Sequence, residues 1–253
     1  MLPTPDTSHV AYERIYEPAE DSFLLLDTLS SASETAFLTS RFGDAPAPHV
    51  LEVGPGSGLV IAFVAAHAEL IFGKRAVLAS AVDVNAYACR ATNETARKAA
   101  AEAQTTHGVF LGAAQGDLLA PLRDESVDVL IFNPPYVPTP ELPRQPGKED
   151  IPQLDAKPTF DEDSYLLSLS YAGGRDGMET TNRLVQRLPQ VLSKKGCAYL
   201  LLCAQNRPDE FQQRIRDFGS NWRTEMVGSS GKRAGWEKLQ IIRIWRELSY
   251  ESK

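Results

Sequence analysis

His49-Val50-Leu51-Glu52-Val53-Gly54-Pro55-Gly56-Ser57-Gly58-Leu59-Val60-Ile61-Ala62-Phe63-Val64-Ala65-Ala66 is the stretch on which the architecture turns. Its opening residues read as a short strand, glycines at every second position from 54 to 58 break it, and an apolar block then reads as a compact helix. Strand, glycine turn and helix in that order leave backbone N–H groups free beside the strand end, where a ligand can approach closely. The glycine spacing departs from the dinucleotide pattern, whose third glycine comes one place later. Glu52, just before the turn, suits a cationic ligand and would repel a pyrophosphate. For a motif this short, an ordinary strand–helix corner is the alternative.

Downstream, Val77-Leu78-Ala79-Ser80-Ala81-Val82 predicts a second strand, ending at Asp83. A carboxylate there can accept both hydroxyls of a ribose, and it can also cap the helix starting near Ala86. Val109 to Gln115 predicts a third strand, running into Gly116-Asp117-Leu118, where Asp117 can accept from an adenine amino group. The fourth, Val127 to Phe132, is apolar and β-branched and ends in Asn133-Pro134-Pro135-Tyr136. Two prolines forbid both helix and further ladder, since each lacks an N–H and fixes φ. The Asn133 side-chain oxygen and the Pro134 carbonyl then make two acceptors for one –NH₂ group. Gripping both hydrogens leaves the nitrogen lone pair pointing elsewhere, as methyl transfer to a planar amino or amide nitrogen requires. A proline-rich turn with Asn133 as turn former is the competing reading.

Strands near 49–53, 77–82, 109–115, 127–132 and 197–204 alternate with helical stretches. Met178 to Leu192 carries Leu184, Val185, Leu188, Val191 and Leu192 at helical spacing. Arg207 to Phe218 predicts another helix, with Pro208 in its first turn. Trp222–Val227 and Lys238–Trp245 read as a terminal antiparallel pair. The expected fold is α/β, a doubly wound, mostly parallel sheet with an antiparallel end, binding its ligand at the strands' carboxyl ends.

These residues resemble the class I S-adenosylmethionine-dependent methyltransferases, and specifically the eukaryotic and archaeal branch of the HemK-type protein glutamine methyltransferases. Tyr16-Glu17-Pro18-Ala19-Glu20-Asp21-Ser22-Phe23-Leu24-Leu25-Leu26 and Gly173-Gly174-Arg175-Asp176-Gly177 extend the likeness, which covers roughly residues 12 to 246. The resemblance implies a seven-stranded Rossmann-like domain over residues 1–253, with an N-terminal segment 1–48 leading into it and a substrate-side loop at 141–158. That loop is longer than the family pattern. It also implies that S-adenosylmethionine supplies the methyl group and that the substrate is the glutamine of the Gly-Gly-Gln loop in the class 1 translation termination factor. Asn133, Pro134 and Tyr136 would carry the chemistry, and Pro135 would join them against the substrate. Ser22, Glu52, Gly54, Gly56, Gly58, Asp83, Asp117, Leu118 and Asn133 would hold the cofactor. A small zinc-containing activator, known for eukaryotic members, is expected on strand 109–115, an outermost strand without Lys, Glu or Pro to blunt it. Adenine in nucleic acid and a protein lysine are the alternative methyl acceptors.

At 253 residues the chain supports one core, and its formal net charge of −7 lacks the basic footprint of a nucleic-acid enzyme. Lys194-Lys195 before Gly196 reads as a helix C-terminus. Cys89, Cys197 and Cys203 have no metal spacing, and His9, His49, His67 and His107 form no ligand pair, so no metal site is expected. Met1 to Val10 has no signal-peptide pattern, and Leu59 to Phe72 is too short to span a bilayer. Cytoplasmic residence, with room for a nuclear pool, is the expectation.

Overall fold

Four parallel strands run through the centre of the protein: β1 (His49–Val53), β2 (Leu78–Asp83), β3 (Val109–Gln115) and β4 (Val127–Phe132). β5 (Leu192–Cys203) extends them, and β6 (Trp222–Ser229) and β7 (Leu239–Arg246) complete a seven-stranded sheet in the order β3-β2-β1-β4-β5-β7-β6. Only β7 runs against its neighbours. The computed structural model describes residues 2–44, 46–103, 107–146, 158–231 and 238–247. Of the expected substrate-side loop, residues 147–157 lie outside the described residues.

Side-chain alternation splits the core between the two sheet faces. Along β5, Cys197, Tyr199, Leu201 and Cys203 face one apolar cluster, and Ala198, Leu200 and Leu202 face the other. A strand buried on both faces has no polar positions to spare, which is why β4 from Val129 and β5 from Cys197 read as continuous apolar runs. Helices α1 (Glu20–Leu29), α2 (Ala32–Phe42), α3 (Leu59–Ala66) and α4 (Ala68–Phe72) cover the first face. α5 (Ala86–Ala103) packs beside α3 and β3, α6 (Phe160–Tyr171) lies over the carboxyl ends of the strands, and α7 (Glu179–Val191) and α8 (Pro208–Arg216) cover the second face.

Local chemistry sets the helix boundaries. The Ser31 hydroxyl accepts from Glu34 N at the start of α2, Thr159 and Glu162 form a reciprocal capping box on α6, and Pro208 opens α8. Lys194 and Lys195 do not end a helix. α7 stops at Val191, two residues after its internal Pro189, and Leu192 already pairs with Val127, so both lysines are exposed in the lead-in of β5.

A buried ion pair fixes the N-terminal helices to the sheet. Both Nη1 distances from Arg243 to the Glu34 carboxylate are under 3 Å, at 2.8 and 2.7 Å, and Tyr199 Oη donates to the same carboxylate at 2.8 Å. The Arg243 guanidinium also stacks over Phe37, 3.8 Å from the ring centre. This staple holds α2, and through it α1, against β5 and β7, which puts the first turn of α1 at the end of β4.

Candidate active site

β1 and β4 are adjacent although two strands separate them in sequence, so their carboxyl ends diverge and open a cleft at the switch point. The cleft has a volume of about 190 Å³, whereas a second hollow beside Leu2, Phe23 and Phe63 has about 10 Å³, room for a single water at most. Ser22, Glu52, Gly54, Gly56, Asp83, Asp117, Leu118, Asn133, Pro134, Pro135 and Tyr136 all line the larger one.

Gly58 does not line it. Its φ of +79° starts α3, and a Cβ there would lie 2.6 Å from the Thr92 Cα on α5. The residue is a glycine so that two helices can approach, not so that a ligand can. Gly54 and Gly56 have φ of +63° and +54° with no atom within 3.8 Å of an added Cβ, so their backbone conformation rather than crowding requires glycine.

Asp83 ends β2 and is stitched to the glycine turn: one oxygen accepts from Asn85 N at 2.8 Å, the other from Gly56 N at 3.3 Å. Asn85 takes the capping role for α5, accepting from Tyr87 N. Burial pushes Asp83 up to about 6 against those N–H contacts. Glu52 lies deeper, beneath the turn, and its Oε2 accepts from Ile61 N in the first turn of α3 at 2.8 Å. Burial pushes it up to about 8, opposed by that N–H and reinforced by the Asp83 charge. The sequence reading aimed this carboxylate at a ligand's cationic end, yet the structure also commits it to bracing α3.

A carboxyl raised this far has a stability consequence. Between pH 4.5 and about 8 the unfolded chain has released the Glu52 proton while the folded chain retains it, so stability falls as pH rises. Glu52→Gln keeps an acceptor for Ile61 N and removes the titration. Its melting temperature should match the parent near pH 5 and exceed it increasingly up to about pH 8, above which the gap levels off, with a stability slope difference of up to about 1.4 kcal/mol per pH unit within that window. Parallel thermal melts would show it; identical pH slopes would mean that Glu52 is ionised in the folded protein.

Asp117 pairs with Arg183 of α7, both partly exposed, so a ligand amino group must share the carboxylate with a guanidinium. Leu118 beside it is left-handed, with φ of +49°. Arg14 is the other cation in the lining, and it pairs with Asp163 of α6 at 3.0 Å. With both cations neutralised, Asp21 and Asp83 leave the cleft wall acidic, and Glu52 stands behind them as a protonated carboxyl that a nearby cation would favour ionising. That donor set fits a cationic, ribose-bearing ligand such as S-adenosylmethionine and does not fit a phosphate.

At the end of β4, Asn133 Nδ2 donates to Asp21 Oδ2 at 3.0 Å, whereas its Oδ1 is buried without a hydrogen-bond partner among the described residues. A buried acceptor left unpaired costs about 1–3 kcal/mol, and such atoms concentrate where a ligand completes them. The following loop is held by Val137 N to Tyr171 O, by Gly173 N to Val137 O, and by Asn206, whose Nδ2 donates to the carbonyls of Tyr136 and Asp176. Asp21, Asn206 and Arg183 escaped the sequence reading. For Asp21 a signal existed: it shares a helical stripe with the buried Leu25 and Leu29. The others come from distant segments and carried none.

All three cysteines are buried and none is in a disulfide, and among the described residues no group of three His, Cys, Asp or Glu could hold a metal ion. No described helix is long and apolar enough to cross a membrane.

The methyltransferase small-domain family model matches residues 29–143. The chain is 35% identical over 246 residues to methyltransferase HEMK2 of Mus musculus, covering 96% of each chain. It is 31% identical over 251 residues to the eRF1 methyltransferase catalytic subunit mtq2 of Schizosaccharomyces pombe, covering 97% of this chain and 96% of that one. Among solved structures it resembles the E. cuniculi Mtq2–Trm112 complex, which is responsible for methylation of the eRF1 translation termination factor. That likeness has a TM-score of 0.53 at 23% identity and covers 92% of this chain and 99% of that one.

Proposed function

The chain belongs to the family of the HEMK2 and Mtq2 methyltransferases, and on that premise we propose that it moves the methyl group of S-adenosylmethionine to the side-chain amide nitrogen of a glutamine in the Gly-Gly-Gln loop of the class 1 translation termination factor. The observation that carries this reading is the Asn133 Oδ1, buried, unpartnered and facing the acidic cleft.

Ser22, Glu52, Gly54, Gly56, Asp83, Asp117 and Leu118 hold the donor, which supplies an electrophilic methyl group on a sulfonium. A glutamine amide nitrogen is a poor nucleophile because its lone pair is delocalised into the carbonyl. Asn133 Oδ1 and the Pro134 carbonyl accept its two hydrogens, so the nitrogen can pyramidalise with its lone pair towards the methyl. The gain comes from positioning and from acceptors matched to a nitrogen that becomes positive. No strong base is needed, because the alkylated amide is acidic and sheds its proton readily. Pro135 and Tyr136 close over the substrate side chain, with Tyr136 contributing about 0.5–2 kcal/mol against the cationic centre.

A partner belongs to the same reading. β3 is an edge strand on which Val109 is 55% and Leu111 59% exposed, an apolar edge suited to strand addition by a small zinc-binding activator. Asn93 Oδ1 already takes the Ala113 N–H, so an added strand would pair with the edge away from Ala113. A translation factor as substrate fits a cytoplasmic enzyme with room for a nuclear pool.

One experiment tests the assignment. The chain, alone and co-expressed with a candidate activator, is incubated with labelled methyl donor and purified termination factor, whose Gly-Gly-Gln glutamine is intact or replaced by arginine. Label should enter only the intact factor, at that glutamine. Equal labelling of the arginine variant would overturn the substrate, and full activity of the lone chain would remove the need for a partner.

A further inference from the structure

A carboxamide has two ends of nearly equal shape, and only one of them accepts hydrogen bonds. Which end Asn133 presents to the cleft therefore decides whether the site can hold a substrate –NH₂ or repels it. Nothing in the Asn133-Pro134-Pro135-Tyr136 stretch itself fixes that choice. The acceptor that does so lies 112 residues away, in the first turn of α1.

We propose that Asp21 is a positioning residue: by binding the NH₂ end of Asn133 it forces the oxygen end to face the substrate. This rests on the reading of Asn133 as the substrate-amide acceptor. Asp21 Oδ2 lies 3.0 Å from Asn133 Nδ2, and the residue is only 3% exposed. Turning the amide over would set Asn133 Oδ1 against a carboxylate oxygen, two acceptors facing each other where water has little access. Asp21 is itself held. Its other oxygen accepts from the Ser22 backbone N–H at 2.6 Å and from the Ser22 hydroxyl at 3.2 Å, at the helix end where an anion is favoured. The Ser22 contacts orient Asp21, and Asp21 orients Asn133.

The arrangement also has an electronic effect. A carboxylate bound to one end of an amide polarises it, which makes the oxygen at the other end a stronger acceptor. That extra charge acts when the substrate nitrogen turns positive, so the contribution is larger in the transition state than in the bound substrate. The effect should therefore fall on kcat rather than on KM.

The test compares Asp21→Ala and Asp21→Asn with the parent. Asp21→Ala should lower kcat roughly 10- to 100-fold, a larger effect than the loss of donor affinity from removing one acidic group of the cleft wall. Asp21→Asn should fall between, since one amide oxygen cannot serve both the Ser22 N–H and Asn133 Nδ2. Selective ¹⁵N labelling of asparagine supplies a readout independent of turnover. In the parent the Asn133 side-chain NH₂ should show one proton shifted downfield and slow to exchange, and Asp21→Ala should abolish both features. A folded Asp21→Ala protein with parental kcat, or an Asn133 signal indifferent to the substitution, overturns the proposal. If Asn133→Ala kept full turnover, the reading of Asn133 would fail instead, while the spectrum would still report the Asp21 contact.

Discussion

Replacing Asn133 by Ala should reduce methyl transfer by about a thousandfold or more while donor affinity changes only a few-fold. On the proposed reading the side chain supplies one of two acceptors for the substrate –NH₂, and among the described residues its buried oxygen has no partner. Without it the Pro134 carbonyl would hold one hydrogen, the amide could rotate about that contact, and the lone pair would have no fixed direction. Losing a single preorganised partner typically costs 10²- to 10³-fold, and losing orientation adds to that. The donor contacts assigned to Asp83 and the glycine turn sit on β1 and β2, away from this side chain. Titration calorimetry with the donor and single-turnover kinetics with the termination factor separate the two effects. A kcat within tenfold of the parent, or an equal loss of donor affinity, would sink the catalytic assignment. Asn133→Asp should do no better, because it sets two carboxylates together where an N–H now bridges to Asp21.

The second large effect is expected at a residue that touches no substrate. Gly177, at the end of the 3₁₀ turn Arg175–Gly177, has φ of +67°, and a Cβ built there would lie 1.9 Å from the Tyr136 carbonyl oxygen and 2.7 Å from Asn206 Nδ2. Neither neighbour is the free end of a flexible chain. One is backbone of the catalytic loop and the other is the amide that staples that loop to the end of β5. Gly177→Ala must therefore displace Tyr136 and with it the Pro134 carbonyl. We expect a loss of roughly 3 kcal/mol, a melting point lower by about 6–12 °C, and turnover down at least about a hundredfold. Gly231→Ala is the control, since φ there is +71° but none of the described residues lies within 4 Å of the added carbon. It carries backbone strain alone and should cost about 1 kcal/mol with activity intact. Equal behaviour of the two variants would show that crowding against the Tyr136 carbonyl is not the reason for Gly177.

The same contacts explain a motif that sequence reading could only match. Gly173-Gly174-Arg175-Asp176-Gly177 resembles its family counterpart, but no periodicity or spacing gave it a task. Folded, a Cβ on Gly173 would meet the Pro135 carbonyl at 2.4 Å, and Thr139 N donates to the Gly174 carbonyl. The glycines are the surface against which the Asn133–Tyr136 loop is moulded.

What the sequence determined by itself is what local chemistry dictates: strands buried on both faces, glycine and proline breaks, and the polar residues left at each strand's carboxyl end. From those, the parallel sheet, its reversed last strand and the gathering of Asp83, Asp117 and Asn133 at one end of the sheet were legible, because alternation and φ restriction act within a few residues. Tertiary structure alone decided how those polar groups are used. Glu52 braces α3, Gly58 serves helix packing, Arg183 takes the Asp117 carboxylate, and Asp21 sets which end of Asn133 faces the cleft. Each is a contact between segments 9 to 112 residues apart, and a side chain's partner at that distance is fixed by which helix packs where, something no local preference encodes.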